Sequence, residues 1–166
     1  MKIILEGVDG VGKTSLALKL SKLFNLEYQH DSSPRTYNDY WEELNNDIPR
    51  VYDRFFFGQF AGYQSNEERL LTYPQLYSLI NHAKENGILI ILCYDKVESI
   101  VKRFKYNNSD KFWMDKMGVS SVEEFVEKIQ NGFLAVAKLG GKAVQFLDMS
   151  GVVRIEKDVP RQDEQK

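Results

Sequence analysis

A three-layer α/β fold, with a central and mostly parallel sheet flanked by helices, is what this sequence predicts, and three observations carry the expectation. Apolar strand-like segments alternate with amphipathic helical ones along nearly the whole chain, which implies right-handed crossovers between parallel strands. The run Ile88-Leu89-Ile90-Ile91-Leu92-Cys93-Tyr94 is continuously apolar, as a parallel strand covered on both faces requires, whereas an exposed antiparallel strand would alternate. At the start of the chain, the apolar segment Lys2 to Leu5 runs straight into a glycine-rich turn and then into a helical pattern.

Beyond that turn, Leu16, Ala17, Leu20, Leu23 and Phe24 make the apolar stripe of a first helix. Glu27 to His30 is a short second strand, followed by the turn-like Asp31-Ser32-Ser33-Pro34-Arg35. A short polar helix from Tyr37 to Asn46 is stopped by Pro49, and Arg50-Val51-Tyr52-Asp53 forms a third strand ending in a carboxylate, with Arg54 immediately after it. Residues 55–72 are aromatic at first and then polar. Pro74 opens a helix with Leu76, Leu79, Ile80 and Ala83 on one face, ended near Gly87, and residues 88–94 follow as the fourth strand.

Asp95 introduces a helix with Val97, Ile100, Val101 and Phe104 inward and with Lys102, Arg103 and Lys105 toward its end. Residues 106–119 lack clear periodicity. Ser120 or Ser121 with Glu123 or Glu124 makes a capping box for a helix carrying Val122, Phe125, Ile129, Phe133 and Val136 up to Gly140-Gly141, and Ala143 to Leu147 is the last strand. The expected organisation is one domain over residues 1–150, with a lid at about 103–118 and a polar, loosely held tail over 151–166.

The bulk properties narrow the function. A chain of 166 residues suits one domain with a sizeable core, and 43% hydrophobic with 28% charged residues is ordinary for a globular protein. The net charge of −2 offers no general attraction for a nucleic acid polymer or an anionic membrane. Cys93, the one cysteine, excludes an intramolecular disulfide and reads as a buried thiol in a reducing compartment. No apolar stretch approaches the length of a membrane span, so a cytoplasmic location is expected. His30 and His82 have no spacing partner, and neither a metal site nor a histidine base is expected of them.

The turn itself carries chemistry. Gly7-Val8-Asp9-Gly10-Val11-Gly12-Lys13-Thr14 fits G-x-x-x-x-G-K-T between a strand and a helix, the setting of a phosphate-binding loop, and so predicts a P-loop NTPase fold. The glycines let backbone N–H groups point inward, and the helix adds its positive N-terminal end. The ATP-binding set is therefore Gly7, Asp9, Gly10, Val11, Gly12, Lys13, Thr14 and Ser15: Lys13 holds the β and γ phosphates, while Thr14 places its hydroxyl on Mg²⁺. In such a fold ligands sit beyond the carboxyl ends of the strands, so Asp53 and Arg54 face the same crevice. Asp53 orders the metal shell or accepts a proton, and Arg54 clamps an acceptor phosphate with its planar fork. Arg103, Lys105 and Lys111 are the lid cations. One or two of Phe55, Phe56, Phe57, Phe60 and Tyr63 are expected to face a nucleobase.

With these residues in hand, the chain resembles the thymidylate kinases among the P-loop nucleoside monophosphate kinases. Glu6-Gly7-x-Asp9-Gly10-x-Gly12-Lys13-Thr14 is similar to that family's E-G-x-D-G-x-G-K-S/T, Asp53-Arg54-Phe55 to its D-R-Y/F, and Ala61-Gly62-Tyr63-Gln64 to its A-Y-Q with one residue inserted. Lys102 to Lys105 and Asp110-Lys111 look like its basic lid, and Phe146 to Ser150 its closing strand. The resemblance implies transfer of the ATP γ-phosphoryl group to a deoxynucleoside 5′-monophosphate. It places Asp9, Arg54, Phe55, Tyr63 and Gln64 on the acceptor side, and it implies a homodimer built through helices. Val11 stands where some members carry an arginine, which leaves Arg103 to supply it. Ser32-Ser33-Pro34-Arg35 replaces the family's R-E-P-G, with Arg35 as a partial substitute on the acceptor side. A free nucleoside or a nucleic acid hydroxyl as acceptor, and a non-kinase NTP switch, are the alternatives. The switch lacks an N-K-x-D guanine-reading motif.

Overall fold

The computed structural model describes residues 1–31, 33–65, 67–106 and 108–151. Five strands, β1 (Lys2–Glu6), β2 (Glu27–His30), β3 (Arg50–Asp53), β4 (Leu89–Tyr94) and β5 (Val144–Asp148), form one sheet in the order β2-β3-β1-β4-β5 with every pairing parallel. β1 takes the centre because all its residues are buried, Lys2 and Glu6 included, and its alternation splits them between two layers. Ile3 and Leu5 pack with Ala17, Leu26 and Val51 beneath α1 (Lys13–Phe24). Ile4 joins the larger cluster on the opposite face, with Tyr52, Ile90 and residues of α2 (Tyr37–Asn45), α3 (Tyr73–Glu85) and α6 (Val122–Leu139). This is the three-layer α/β architecture.

Helix boundaries follow from capping chemistry. Thr36 with Asp39 and Thr72 with Gln75 form reciprocal capping boxes at α2 and α3, and the Ser121 hydroxyl accepts from the Glu124 N–H at the start of α6. The other end of α2 is closed by a buried lysine. The Lys2 ammonium donates to the carbonyls of Glu43 (3.0 Å), Leu44 (2.8 Å) and Asn46.

The structure departs from the sequence reading in four places. Within the stretch read as unpatterned, Asn108–Met117 forms a helix, α5, after α4 (Val97–Arg103). Its packed face holds only Met114 with partly buried Trp113 and Met117, too narrow a stripe to register as periodic. Leu23 and Phe24 face solvent, and α1 packs through Leu16, Ala17 and Leu20 instead. Ala143 belongs to a short 3₁₀ turn, so β5 begins one residue later. Finally, Phe55, Phe56, Phe57 and Phe60 are all buried core residues. Residues 152–166 of the expected tail lie outside the described residues. Among those described, no helix is long and apolar enough to cross a membrane.

Candidate active site

The phosphate loop leaves β1 and is gripped from two sides. Gly7 has φ 139°, and a Cβ there would lie 2.4 Å from the Cys93 carbonyl oxygen, so the loop can pass the end of β4 only as glycine. Gly10 has φ 79° and abuts Ile100 and Phe104 at the end of α4. Lys13 then opens α1 with its side chain buried. Its ammonium donates to the Val8 carbonyl (2.9 Å) and lies 3.8 Å from the Asp9 carboxylate, and burial lowers its pKa. Arg103, at the end of α4, donates from Nε to the Gly10 carbonyl (2.9 Å) and from the guanidinium to the buried Asp95 carboxylate (2.7 Å). Asp95 is fixed in turn by Gln130 of α6, which bonds both its N–H and its carbonyl.

The second strand end lies alongside, because Leu5 of β1 pairs with Asp53 of β3. Arg54 turns away at φ 71°, its N–H on the Leu5 carbonyl (2.9 Å) and its guanidinium on the Asp9 carboxylate. The glycine-rich loop and the residue after β3 thus already touch. Asp53 Oδ2 accepts from the Thr14 hydroxyl (2.5 Å) and the Tyr28 hydroxyl (3.2 Å) and meets His30 Nδ1 at 3.3 Å. Asp53 Oδ1 is buried and takes no hydrogen bond. Burial works against the Asp53 charge, but His30, Lys13 and Thr14 outweigh it and hold the carboxyl below its usual range. The same hydrogen bond to Asp53 raises the pKa of His30.

The remaining residues expected at the site divide into two groups. Tyr63 is half-buried, edge-on to Trp113 and Phe125, with its hydroxyl pushed up to about 12 by burial, and Gln64 keeps a buried side-chain oxygen without a partner. Tyr63 thus packs on Trp113 of α5. Phe55 is 4% exposed and its ring packs on Tyr40, Tyr52 and Phe56, so it walls the crevice from inside the core and presents no stacking face. Arg35 is engaged by neighbouring side chains: it bonds Asp31 (3.1 Å), approaches Glu43 (3.7 Å) and lies over the Tyr40 and Phe55 rings. Lys105 and Lys111 are exposed. Sequence reasoning missed the parts played by Glu6, His30, Asp95 and Gln130. For Glu6, His30 and Asp95 the available signal was a polar residue at or just beyond the carboxyl end of a strand, where the crevice must lie, whereas Gln130, within α6, carried none.

No protein-family model matches this chain, and no curated protein sequence matches it. Solved structures do. The chain is similar to the YorR protein of Bacillus subtilis in complex with phosphorylated GDP, at 19% identity and TM-score 0.71, over 91% of this chain and 87% of that one. It is also similar to thymidylate kinase from Candida albicans (15%, TM-score 0.56, 90% and 84% covered) and to deoxyadenosine kinase from M. mycoides with bound dATP (15%, TM-score 0.54, 90% and 91% covered). At these identities the shared property is the fold: an α/β domain with a five-stranded parallel sheet flanked by helices, as in the P-loop kinases.

Proposed function

We propose that this chain is a kinase that transfers the γ-phosphoryl group of ATP to a nucleoside monophosphate, in the manner of a thymidylate kinase. The observation that carries the reading is the contact between Arg54 and Asp9, which brings an arginine from the end of β3 onto the phosphate loop itself. Phosphoryl transfer needs positioning and charge neutralisation more than covalent help. Lys13 exchanges the Val8 carbonyl for the phosphate oxygens of ATP, a stronger, charge-assisted bond. Arg54 exchanges Asp9 for the acceptor phosphate, and its planar fork orients that phosphate toward the donor. Arg103 stands beside Gly10, within the loop, as the further cation at the transferring group. Thr14 and Asp53 fit a hard divalent cation: both offer oxygen, and Asp53 holds a buried oxygen with no partner. Mg²⁺ bound there would supply neutralisation of the phosphate charge. The lid cations Lys105 and Lys111 flank or lie on α5 and close over the phosphates, and Tyr63 with Gln64 borders the sugar or base.

A hydroxyl acceptor is the second reading, favoured by His30. Its half-exposed imidazole is held by Asp53, the kind of group that takes a proton from a nucleoside hydroxyl, whereas a phosphate acceptor needs no base. Incubation with ATP·Mg²⁺ and a panel of mononucleotides, nucleosides and oligonucleotides, followed by ADP release, tests both. Turnover stimulated by monophosphates supports the first reading, and turnover confined to nucleosides or oligonucleotides replaces it with the second. Hydrolysis indifferent to every acceptor defeats both. Lys13→Ala is expected to abolish transfer, by about a thousandfold or more, with the far-ultraviolet circular dichroism unchanged; retained turnover removes the loop as donor site.

A further inference from the structure

The geometry points to Glu6 as the residue that positions the acceptor arginine: enclosed at the end of β1, its side chain holds the backbone turn from which Arg54 reaches the phosphate loop. This rests on the two-site reading of the crevice given above. Glu6 is fully buried. Its Oε1 accepts from the N–H of Phe55 (3.1 Å) and the N–H of Phe57 (2.9 Å), while the preceding carbonyl, of Leu5, accepts from the N–H of Arg54 (2.9 Å). Three of the four amides from residue 54 to residue 57 are therefore bound by the last two residues of one strand. That matters because Arg54 stands at φ 71°, a left-handed conformation that disfavours a side chain of its bulk and persists only where the surroundings over-determine it.

An apolar residue would be the ordinary choice at this position, since Ile4, two residues earlier on that face, is core. Glu6 instead places a carboxylate in the interior at the cost of desolvation, leaving Oε2 buried without a partner. What the carboxylate provides is two accepted hydrogen bonds at a point where no strand continues to satisfy those amides. The charged groups facing it are Lys13 and Arg54, two of the cations of the proposed crevice. Gly7 of the phosphate loop is the next residue in the chain. Donor loop and acceptor turn are thus registered against each other through a single residue, and small misplacements between reacting groups cost large factors in rate.

Glu6→Leu removes both acceptors while keeping bulk, and Glu6→Gln keeps one carbonyl oxygen. With the acceptor found by the panel, Glu6→Leu is expected to raise the acceptor KM about tenfold or more and to lower kcat, with the ATP KM within about twofold of wild type. Glu6→Gln recovers most of the loss. In an Arg54→Ala background Glu6→Leu adds no further loss in kcat/KM for the acceptor. An equal rise in both KM values, or an additive loss, overturns the inference.

A second measurement needs no turnover. Trypsin cleaves after Arg54, and Glu6→Leu is expected to speed that cut about tenfold relative to cleavage after Lys13, which is buried at the start of α1 and also needs opening of the chain, so that global loosening raises both. An unchanged ratio overturns the positioning role. A raised ratio in a protein whose wild type phosphorylates nothing upholds the positioning of the turn and removes the two-site reading instead. If Glu6→Leu does not fold, hydrogen exchange at the Phe55 and Phe57 amides of the wild type decides: protection of both supports the inference, and exchange as fast as in exposed loops overturns it.

Discussion

Asp53 gathers three hydrogen-bonding groups on one oxygen and leaves the other bare, so a single buried carboxylate connects β2, α1 and the crevice. Arg35, also singled out by sequence, is held by carboxylates. Its guanidinium is committed to Asp31, a buried carboxylate with one oxygen already unpartnered, and to Glu43, which also binds Arg50 and Tyr52. Arg35→Ala is therefore expected to act first on stability, by roughly 1–3 kcal/mol for the carboxylate left behind, and to raise the acceptor KM less than Arg54→Ala does. Denaturant melts and acceptor kinetics on the two variants check this; a larger KM effect from Arg35 would place it on the acceptor directly. That Lys13, Thr14, Asp53 and Arg54 come together was legible in the sequence from their consecutive spacing. His30 and Glu6 were not, because the bonds that define them span 23 and 49 or more positions and exist only once strands pair.

Among the elements, α6 lies tight against the segment that follows β3. Gly132 lies in its middle, where a Cβ would come within 1.9 Å of the Ala61 carbonyl oxygen. Two effects oppose each other in Gly132→Ala. Helix propensity favours alanine by about 1 kcal/mol, and overpacking against fixed backbone costs typically about 1–3 kcal/mol. Since the obstructing atom is backbone, the clash wins, and a net loss of about 1–2 kcal/mol is expected in urea unfolding; a stabilised variant would mean that α6 can slide away from residue 61. The strands and α1 to α4 with α6 were legible because apolar runs, caps and breakers agree in them. α5 was not. It packs through two turns against Tyr63 and its neighbours, and only tertiary contact distinguishes it from a loop.

At the scale of the whole molecule, the buried carboxyl of Glu6 gives stability a pH dependence with a definite sign. Burial pushes it up to about 7 from an ordinary value of 4.5. Between those values the folded chain holds a proton that the unfolded chain has released, so stability falls as pH rises across that window and is unaffected by this group outside it. Asp31, raised by burial, acts in the same sense. His30 does so at its own window, its stabilisation being present below its unfolded pKa and lost as pH rises through the folded one, while Asp53, held low, acts in the opposite sense, its stabilisation being present above its unfolded pKa and lost as pH falls through the folded one. Wild type is expected to lose on the order of 2–3 kcal/mol more than Glu6→Gln between pH 5 and pH 7.5 in urea melts, and parallel curves would contradict it. The fold class was readable in advance because alternation and one fully apolar strand suffice for it. The acceptor was not, since its walls come from segments far apart in the chain. The Lys2 ammonium that closes α2 bears on chemical labelling. An amine-directed reagent modifies exposed lysines in the folded chain but reaches Lys2 only when β1 and α2 separate, so its modification rate, read by mass spectrometry, is a built-in clock for global opening.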